Sequence, residues 1–312
     1  MMNKDSRKKV SFLKEVKKNK TLLGMLSPAM IYVIVFCYIP MFGIVLAFKS
    51  YDYQGGIFGS PWVGFDNFEF LIISKKLWTL TRNTILYNIA FIGLGILLEV
   101  GFAILLSEIT NGIFKRVSQG LMFLPYFISW VVVSSIMLTI FGYEHGVINN
   151  ILGRFGMEPF NLYGATKQWP IVMVLLRLWK QTGYGTVVYL AAITGISQEL
   201  FEAADIDGAN IWKKIRYITI PSLKPTMIIM FLLGLGNVFR GDFGMFYQIV
   251  KNNQLLLKSS DIIDTFVYRS LMTSPNLGMS AAAGLYQSIM CLLVISTVNY
   301  IIKRMQPDYA LF

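Results

Sequence analysis

Ionisable and amide side chains stand inside otherwise apolar stretches at two places in this chain of 312 residues. One group, spaced so that a helix places it on one face, consists of Arg177, Lys180, Gln181 and Tyr184. The other, flanked by glycines, consists of Asn237, Arg240 and Asp242. Charges at membrane depth are costly and usually face a bundle interior or a water-filled cavity. Both groups are therefore candidates for the wall of a translocation path that binds a hydroxyl-rich or anionic solute.

A structural interpretation of the same groups stays open. Arg240 could pair with Asp242 or with a neighbouring subunit, while Arg177 and Lys180 extend to the outer surface along their apolar stems. Glu99 is a further carboxylate within an apolar stretch, and a proton relay would make the chain an ion-coupled carrier. With Asp242 as the sole other carboxylate in such a stretch, this alternative is poorly supported.

The sequence contains few candidate catalytic residues. No Gly-Lys dipeptide is present, so the chain cannot form a P-loop and ATP must be hydrolysed elsewhere. The single histidine, His145, cannot complete a zinc or serine-hydrolase motif, and Cys37 and Cys291 lack zinc spacing. We expect no catalytic residue, metal site or cofactor in this chain. An integral membrane enzyme, a channel and an ion-coupled secondary transporter remain as alternatives.

The composition is that of a membrane protein. Hydrophobic residues make up 55% of the chain and charged residues 14%, against about 25% charged in soluble domains. The mean hydropathy is +0.56. The net charge of +11 is explained by basic residues that flank membrane spans on the cytoplasmic side, and a nucleic-acid partner is not expected.

Six stretches reach the roughly 20 residues that a bilayer core of about 30 Å requires, which predicts an all-α membrane protein. The sixth is weak because Arg240 and Asp242 interrupt it. In residue numbers the predicted spans are 22–48, 84–106, 117–141, 169–196, 226–250 and 279–302.

The distribution of Lys and Arg predicts that both termini are cytoplasmic. This orientation places 16 of these residues inside and nine outside, with three in spans. It divides the chain into a basic tail (1–21), a six-span transmembrane domain (22–303) and a cytoplasmic C-terminus (304–312). The charged segment 197–225, between two spans, is then cytoplasmic.

Segment 197–225 is predicted to form two helices joined by a bend. Ser197 and Asn210 are candidate helix caps, and Gly208 permits a backbone conformation that a β-carbon would penalise. Pro221 and Pro225 are expected to stop the second helix. That helix has an apolar face, including Trp212, which the membrane, the same subunit or a partner must cover. An interfacial connector without a partner is the alternative.

The same segment contains Glu202-Ala203-Ala204, then Gly208-Ala209, then Ile220-Pro221. This spacing resembles the EAA loop of permease subunits in binding-protein-dependent ABC importers, although Ile220 stands where Leu is usual. Resemblance extends over most of the chain, including Leu124-Pro125. Residues 241–269 are similar to the carbohydrate-uptake branch of LplB-like and rhamnogalacturonan oligosaccharide permeases of Gram-positive bacteria.

The resemblance implies a type I ABC importer permease fold with a MetI-like core, inserted as a multi-pass protein in the cell membrane. It implies alternating access and uptake of oligosaccharides, with acidic pectin- or alginate-type chains suggested by the basic candidates above. The implied partners are a second permease subunit, two copies of an ATPase that binds ATP and Mg, and an extracytoplasmic lipoprotein that binds the sugar. The implied ATPase-coupling residues are Glu202, Ala203, Ala204, Asp207, Gly208, Ala209, Trp212, Lys213, Arg216 and Pro221.

Overall fold

The structure is a computed structural model that describes residues 18–73, 76–251, 253–273 and 276–305. Most of the predicted basic tail (1–17) and of the predicted C-terminal segment (306–312) lies outside the described residues. Within those four ranges the chain is helical, and its one β-type contact is an isolated bridge between Lys49 and Trp62. The helices in chain order are α1 Lys20–Phe48, α2 Gly56–Gly59, α3 Asp66–Ile73, α4 Lys76–Ser107, α5 Gly112–Phe123, α6 Trp130–Phe141, α7 Val147–Arg154, α8 Trp169–Thr194, α9 Gln198–Ile206, α10 Ile211–Leu235, α11 Phe243–Val250, α12 Gln254–Ser260, α13 Ile263–Thr273 and α14 Leu277–Met305.

Four helices of the described chain, α1, α4, α10 and α14, are long and apolar enough to cross a membrane. The pair formed by Gly112–Phe127 and Trp130–Phe141 passes the same test together and adds a fifth if it is one span. Helix α8 has 26 residues, which is sufficient length, but it carries Arg177 and Lys180. The six predicted spans therefore correspond to four or five by length and composition.

Two predicted spans differ from a single straight helix. Residues 117–141 are bent by 97° at the break between α5 and α6, next to Pro125. Residues 226–250 belong to the end of α10, a turn and the short helix α11, which begins where the Asp242 carboxylate accepts a hydrogen bond from the backbone N–H of Met245 at 3.1 Å. Glycines and a capping carboxylate end the helix here, as their preferences suggest.

The prediction that Pro221 and Pro225 stop the second helix is wrong. Helix α10 passes through both prolines, because a π turn at Ile215–Thr219 precedes them. In that turn the backbone N–H of Ile220 donates to the carbonyl of Ile215, five residues earlier. This shift of the backbone hydrogen bonds by one residue accommodates Pro221, which has no N–H to donate. The second helix of segment 197–225 and the predicted span after it thus form one continuous helix.

Helices α4 and α8 pack side by side at the centre of the fold. Glycines on α8 allow it to approach both α4 and α5 closely. A β-carbon at Gly183 would lie 1.8 Å from the carbonyl oxygen of Met122, and one at Gly185 would lie 1.9 Å from the carboxyl carbon of Glu99. Near the other end of α8, Trp169 and Met173 are completely buried against Phe246 of α11 and its neighbours. This packing leaves a cavity between α4, α8 and α10.

Candidate translocation cavity

A cavity of about 540 Å³ lies between α4, α8, the end of α10 and the turn that follows it. It brings together two groups of polar residues that are about 60 positions apart in the sequence. Six of the seven predicted path residues line it, namely Arg177, Gln181, Tyr184, Asn237, Arg240 and Asp242. The seventh, Lys180, does not.

Asp242 is the hydrogen-bonding centre of one wall of the cavity. Its Oδ2 accepts from Nη1 of Arg177 at 3.1 Å and from Nε1 of Trp130 at 3.1 Å. Its Oδ1 caps α11. The ion pair is largely shielded from solvent, with 27% of the Arg177 side chain and 22% of the Asp242 side chain exposed. The structural alternative is therefore wrong in two respects, because Arg177 does not extend to the outer surface and Asp242 pairs with Arg177 instead of Arg240.

Arg240 is the exposed cation of the cavity. No carboxylate of the described chain forms an ion pair with its guanidinium. Its side chain also lines a neighbouring cavity of about 390 Å³, together with Asp264 and Gln287. There Oδ2 of Asp264 accepts from the backbone N–H of Gly241 at 2.7 Å and from Nε2 of Gln287 at 3.1 Å. Arg240 is thus the basic group best placed to meet an anionic solute.

Lys180 is buried, with 6% of its surface exposed, and does not line the cavity. Its Nζ donates to the carbonyl oxygens of Tyr126 at 2.6 Å and Pro125 at 3.3 Å. The ammonium also lies 5.6 Å and 5.5 Å from the ring centroids of Tyr126 and Trp130. It therefore satisfies carbonyl groups at the break between α5 and α6, where the helical ladder ends. Neither predicted role, path lining or extension to the surface, describes it.

Tyr184 lines the cavity and stacks on Tyr126, with 4.8 Å between ring centroids and 15° between planes. Trp179, also on α8, is half exposed and does not line the cavity. Aromatic faces beside hydrogen-bonding groups suit a sugar, whose rings carry both C–H and hydroxyl surfaces.

Two lining residues on α4 were not predicted as path residues. Asn88 donates through Nδ2 to the carbonyls of Val238 at 3.0 Å and Arg240 at 3.1 Å, which fixes the turn after α10. Glu99 lies at the other end of the same lining face. The spacing of Asn88, Ile92, Gly95 and Glu99 is that of one helical face. Helical periodicity within this apolar stretch could therefore have identified this lining face from the sequence.

Segment 197–225, which contains the predicted coupling residues and is called the coupling segment below, begins with two helices joined by a bend. Gly208 has φ of 70°, which suits a residue without a β-carbon, and Oδ1 of Asn210 accepts from the backbone N–H of Lys213 at 3.0 Å. Ser197 precedes α9 but its side chain makes no capping hydrogen bond. Lys214 forms a salt bridge with Asp205 across the bend.

The surface of the coupling segment is largely open in this single chain. Of the predicted coupling residues, Ala204 and Ala209 are half-buried, and the exposed ones are Glu202, Ala203, Asp207, Gly208, Trp212, Lys213, Arg216 and Pro221. Ile206 is 89% exposed and Trp212 is 75% exposed. Large apolar side chains this exposed on a charged segment indicate a contact surface.

A metal site finds no support in the described residues, which contain no group of three or more His, Cys, Asp or Glu side chains that could hold an ion. What the cavity provides is charge, amide groups and aromatic surface. These groups can bind and orient a polar solute, as the wall of a translocation path must.

Comparison with known proteins agrees with this description. The model of the family described as binding-protein-dependent transport system inner membrane component matches residues 91–307. The chain is 32% identical to protein LplB of Bacillus subtilis, over 96% of this chain and 94% of the relative. It is 30% identical to the polygalacturonan/rhamnogalacturonan transport system permease protein YteP of the same organism, over 97% of this chain and 94% of the relative.

Solved structures extend the similarity to the fold. The chain is similar to a subunit in the crystal structure of a bacterial ABC transporter involved in the import of the acidic polysaccharide alginate, with a TM-score of 0.85, 27% identity and coverage of 95% of this chain and 100% of that one. A structure of the bacterial alginate ABC transporter in complex with an alginate pentasaccharide-bound periplasmic protein gives a TM-score of 0.84 at 26% identity, over 95% and 98% of the two chains.

Proposed function

The chain belongs to the family of binding-protein-dependent transport system inner membrane components, and we propose that it is the permease subunit of an ATP-driven importer that takes up acidic oligosaccharides. The observation that carries this proposal is the cavity between α4, α8 and α10, which joins Arg240, Asn237, Gln181 and Tyr184 in one space. In the proposed mechanism the cavity opens to each side of the membrane in turn. Helix α8 would be the sixth span, with Arg177 directed into the cavity and Lys180 toward the break between α5 and α6.

The preference for an acidic substrate is supported by the state of the two arginines. Arg177 is neutralised by Asp242, whereas Arg240 is exposed and free of a carboxylate partner within the described chain. A carboxylate of a uronate unit can accept two parallel hydrogen bonds from a guanidinium. The related permease named for polygalacturonan and rhamnogalacturonan and the alginate importer both concern acidic chains.

Coupling to ATP hydrolysis is proposed to pass through residues 198–220. This segment follows α8 after a short turn and contains α9 and the start of α10, and both α8 and α10 line the cavity. The exposed Trp212 and Ile206 would seat on an ATPase subunit, with Lys213 and Arg216 at the rim of the contact. Closure of the ATPase pair would then move both helices together and open the cavity outward.

The proposed assembly contains a second permease subunit, two copies of an ATPase that binds ATP and Mg, and an external sugar-binding lipoprotein. The alginate transporter was crystallised with a periplasmic binding protein, and a similar partner is expected above this chain. We propose that the chain is inserted in the cell membrane of a Gram-positive bacterium, and its similarity to LplB and YteP of Bacillus subtilis supports this.

Reconstitution in liposomes tests the proposal. The full-length chain with its partner subunits should take up uronate oligosaccharides only with ATP inside and the loaded binding protein outside. Uptake by the chain alone under an ion gradient would contradict the proposal and favour an ion-coupled carrier. A Trp212→Ala variant should lose the ATPase subunits on purification, whereas Trp78→Ala, also an exposed tryptophan, should retain them.

A further inference from the structure

A second cavity, of about 570 Å³, lies on the other side of the wall formed by α4 and α8. It is an open groove, and its apolar floor is formed by Leu86, Ala90 and Leu94 of α4 with Val174 and Leu175 of α8. Leu178 contributes to both cavities and is itself buried. The groove is therefore separated from the polar cavity by one layer of side chains and contains none of its charged residues.

One end of the groove is polar. Arg82, Asn83 and Ser259 line it there. The Nδ2 of Asn83 donates to the carbonyl of Asp261 at 3.1 Å, and the hydroxyl of Tyr87 donates to the carbonyl of Ser259 at 3.0 Å. These bonds hold α12 across the mouth of the groove. The mouth is thus a built feature, in which buried polar groups are already satisfied.

The charge at this mouth is positive. Arg82 is exposed, and its guanidinium donates to the neutral side-chain oxygen of Asn83 at 3.3 Å. Lys258 is exposed on α12, one residue before Ser259. The neighbouring carboxylate, Asp261, is engaged by Arg269. Arg82 therefore lines the opening of the apolar groove, and the backbone of Lys258 lies at the same place, with its carbonyl oxygen 3.4 Å from Nδ2 of Asn83.

The dimensions of the groove fit one leaflet of a bilayer. From Arg82 to Leu94 along α4 is about 18 Å at a rise of 1.5 Å per residue. Half of a hydrocarbon core of about 30 Å is about 15 Å. Trp78, one turn before Arg82, is 72% exposed, as is typical of the headgroup level. The cations at the mouth therefore lie at headgroup depth and the apolar floor at acyl-chain depth.

We infer that this groove binds an anionic phospholipid of the outer leaflet, with its phosphate at Arg82 and Lys258 and an acyl chain between α4 and α8. The inference rests on the orientation that the proposed function assigns to the chain. Guanidinium and ammonium groups bind phosphate through charge-assisted hydrogen bonds. The acyl chain of the lipid would cover the apolar floor of the groove, which would otherwise contact disordered lipid. The occupant is held beside the wall of the translocation cavity but outside it.

Native mass spectrometry of the full-length chain, purified with its partner subunits in a mild detergent, tests the inference. The probes are phosphatidylglycerol and phosphatidylcholine with identical oleoyl chains. Each cation near a membrane surface contributes about 1 kcal/mol toward an anionic lipid, which corresponds to about fivefold in affinity. Arg82→Gln should weaken binding of phosphatidylglycerol about fivefold and binding of phosphatidylcholine less, because the choline cation offsets the charge of its phosphate. Inorganic phosphate at the same concentration should not compete, since it has no chain to occupy the groove.

Two matched controls separate the groove from general effects. Arg154→Gln removes an exposed cation of α7 and should not change lipid binding. Ala90→Trp fills the groove and should abolish binding of both lipids, whereas Leu97→Trp, at an exposed position of α4 outside the groove, should not. Should Ala90→Trp fail to fold, the Arg82→Gln comparison still decides.

Equal affinity for the two lipids, or an equal loss in Arg154→Gln, would overturn the inference. So would a photo-crosslinker at Leu94 that captures the second permease subunit instead of lipid. The readout is lipid binding, which does not depend on transport or ATP hydrolysis. A negative result here therefore leaves the proposed function standing, and a failure of transport leaves the lipid site standing.

Discussion

Asp242 accepts a hydrogen bond from Arg177 at 3.1 Å, across 65 positions of sequence. This contact ties the middle of α8 to the turn after α10, and Trp130 joins the same carboxylate from α6. Three separate elements of the fold thus meet at one side chain. The pair also determines which arginine of the cavity is available to a solute, because it neutralises Arg177 and leaves Arg240 exposed.

Replacing Asp242 by Asn should destabilise the chain. The change leaves Arg177 with no ionised partner at a site where most of both side chains is shielded, and we expect a loss of about 1–3 kcal/mol in the free energy of unfolding. Thermal unfolding of the purified protein in detergent measures the effect. Glu158→Gln, which removes an exposed carboxylate from a loop, serves as the control and should not shift the midpoint. Equal midpoints for the two variants would show that the pair is not structurally important.

Replacing Arg240 by Gln should weaken uptake of uronate oligosaccharides more than uptake of neutral ones. Loss of a charge-assisted pair of hydrogen bonds is expected to lower the apparent affinity for the acidic substrate about tenfold. Uptake of radiolabelled acidic and neutral oligosaccharides of equal length, by the reconstituted complex, provides the comparison. The control variant is Arg154→Gln. A similar loss for both substrates would rule out Arg240 as the group that selects acidic chains.

Replacing Lys180 by Met should act on folding and not on substrate choice. The ammonium is bonded to the carbonyls of Pro125 and Tyr126 and does not line the cavity, so its loss leaves buried acceptors without a donor. The expected cost is about 1–3 kcal/mol of stability. Uptake of acidic and neutral oligosaccharides, normalised to the amount of folded protein, should stay close to that of the unchanged protein for both substrates. Lys167→Met, which removes an exposed lysine before α8, is the matched control. A selective loss for acidic chains would return Lys180 to the substrate path.

Replacing Gly208 by Ala should weaken the link to ATP hydrolysis. At φ of 70° an alanine costs about 1–2 kcal/mol, which disfavours the bend between α9 and α10. We expect the subunit to insert normally and its complex to lose most substrate-stimulated ATP hydrolysis, measured as phosphate release. Gly153→Ala, where a β-carbon meets open space, is the control. Unchanged stimulation in Gly208→Ala would mean that the bend does not need its present shape.

The spacing of polar residues predicted part of the cavity well. Gln181 and Tyr184 follow Arg177 by one and two helical turns, and all three line the cavity. Lys180 was grouped with them, but a residue three positions away is rotated by about 60° around the helix. That rotation is enough to direct its side chain to the break between α5 and α6 instead. Spacing within one helix therefore identifies a face only to about this angle.

Contacts between distant segments lay beyond such reasoning. Nothing in the local sequence pairs Arg177 with Asp242 in preference to Arg240, since that choice depends on how the turn after α10 packs against α8. The effect of the prolines was also missed, because the expectation considered the lost hydrogen bond without the compensating π turn. The 97° bend beside Pro125 belongs to the same class, since hydropathy alone does not distinguish a straight span from a broken one.

Because α10 is continuous, a movement of its lower end can be transmitted along the whole helix. Its 25 residues correspond to a rod of about 38 Å from Ile211 to Leu235. If the rod pivots at its lower end, a tilt of about 5° displaces its upper end by about 3 Å, by the same helical rise. Asn237 and Arg240 stand just beyond that upper end. A small tilt of α10 at its lower end would therefore displace Asn237 and Arg240 by several ångströms at the place where a sugar would bind.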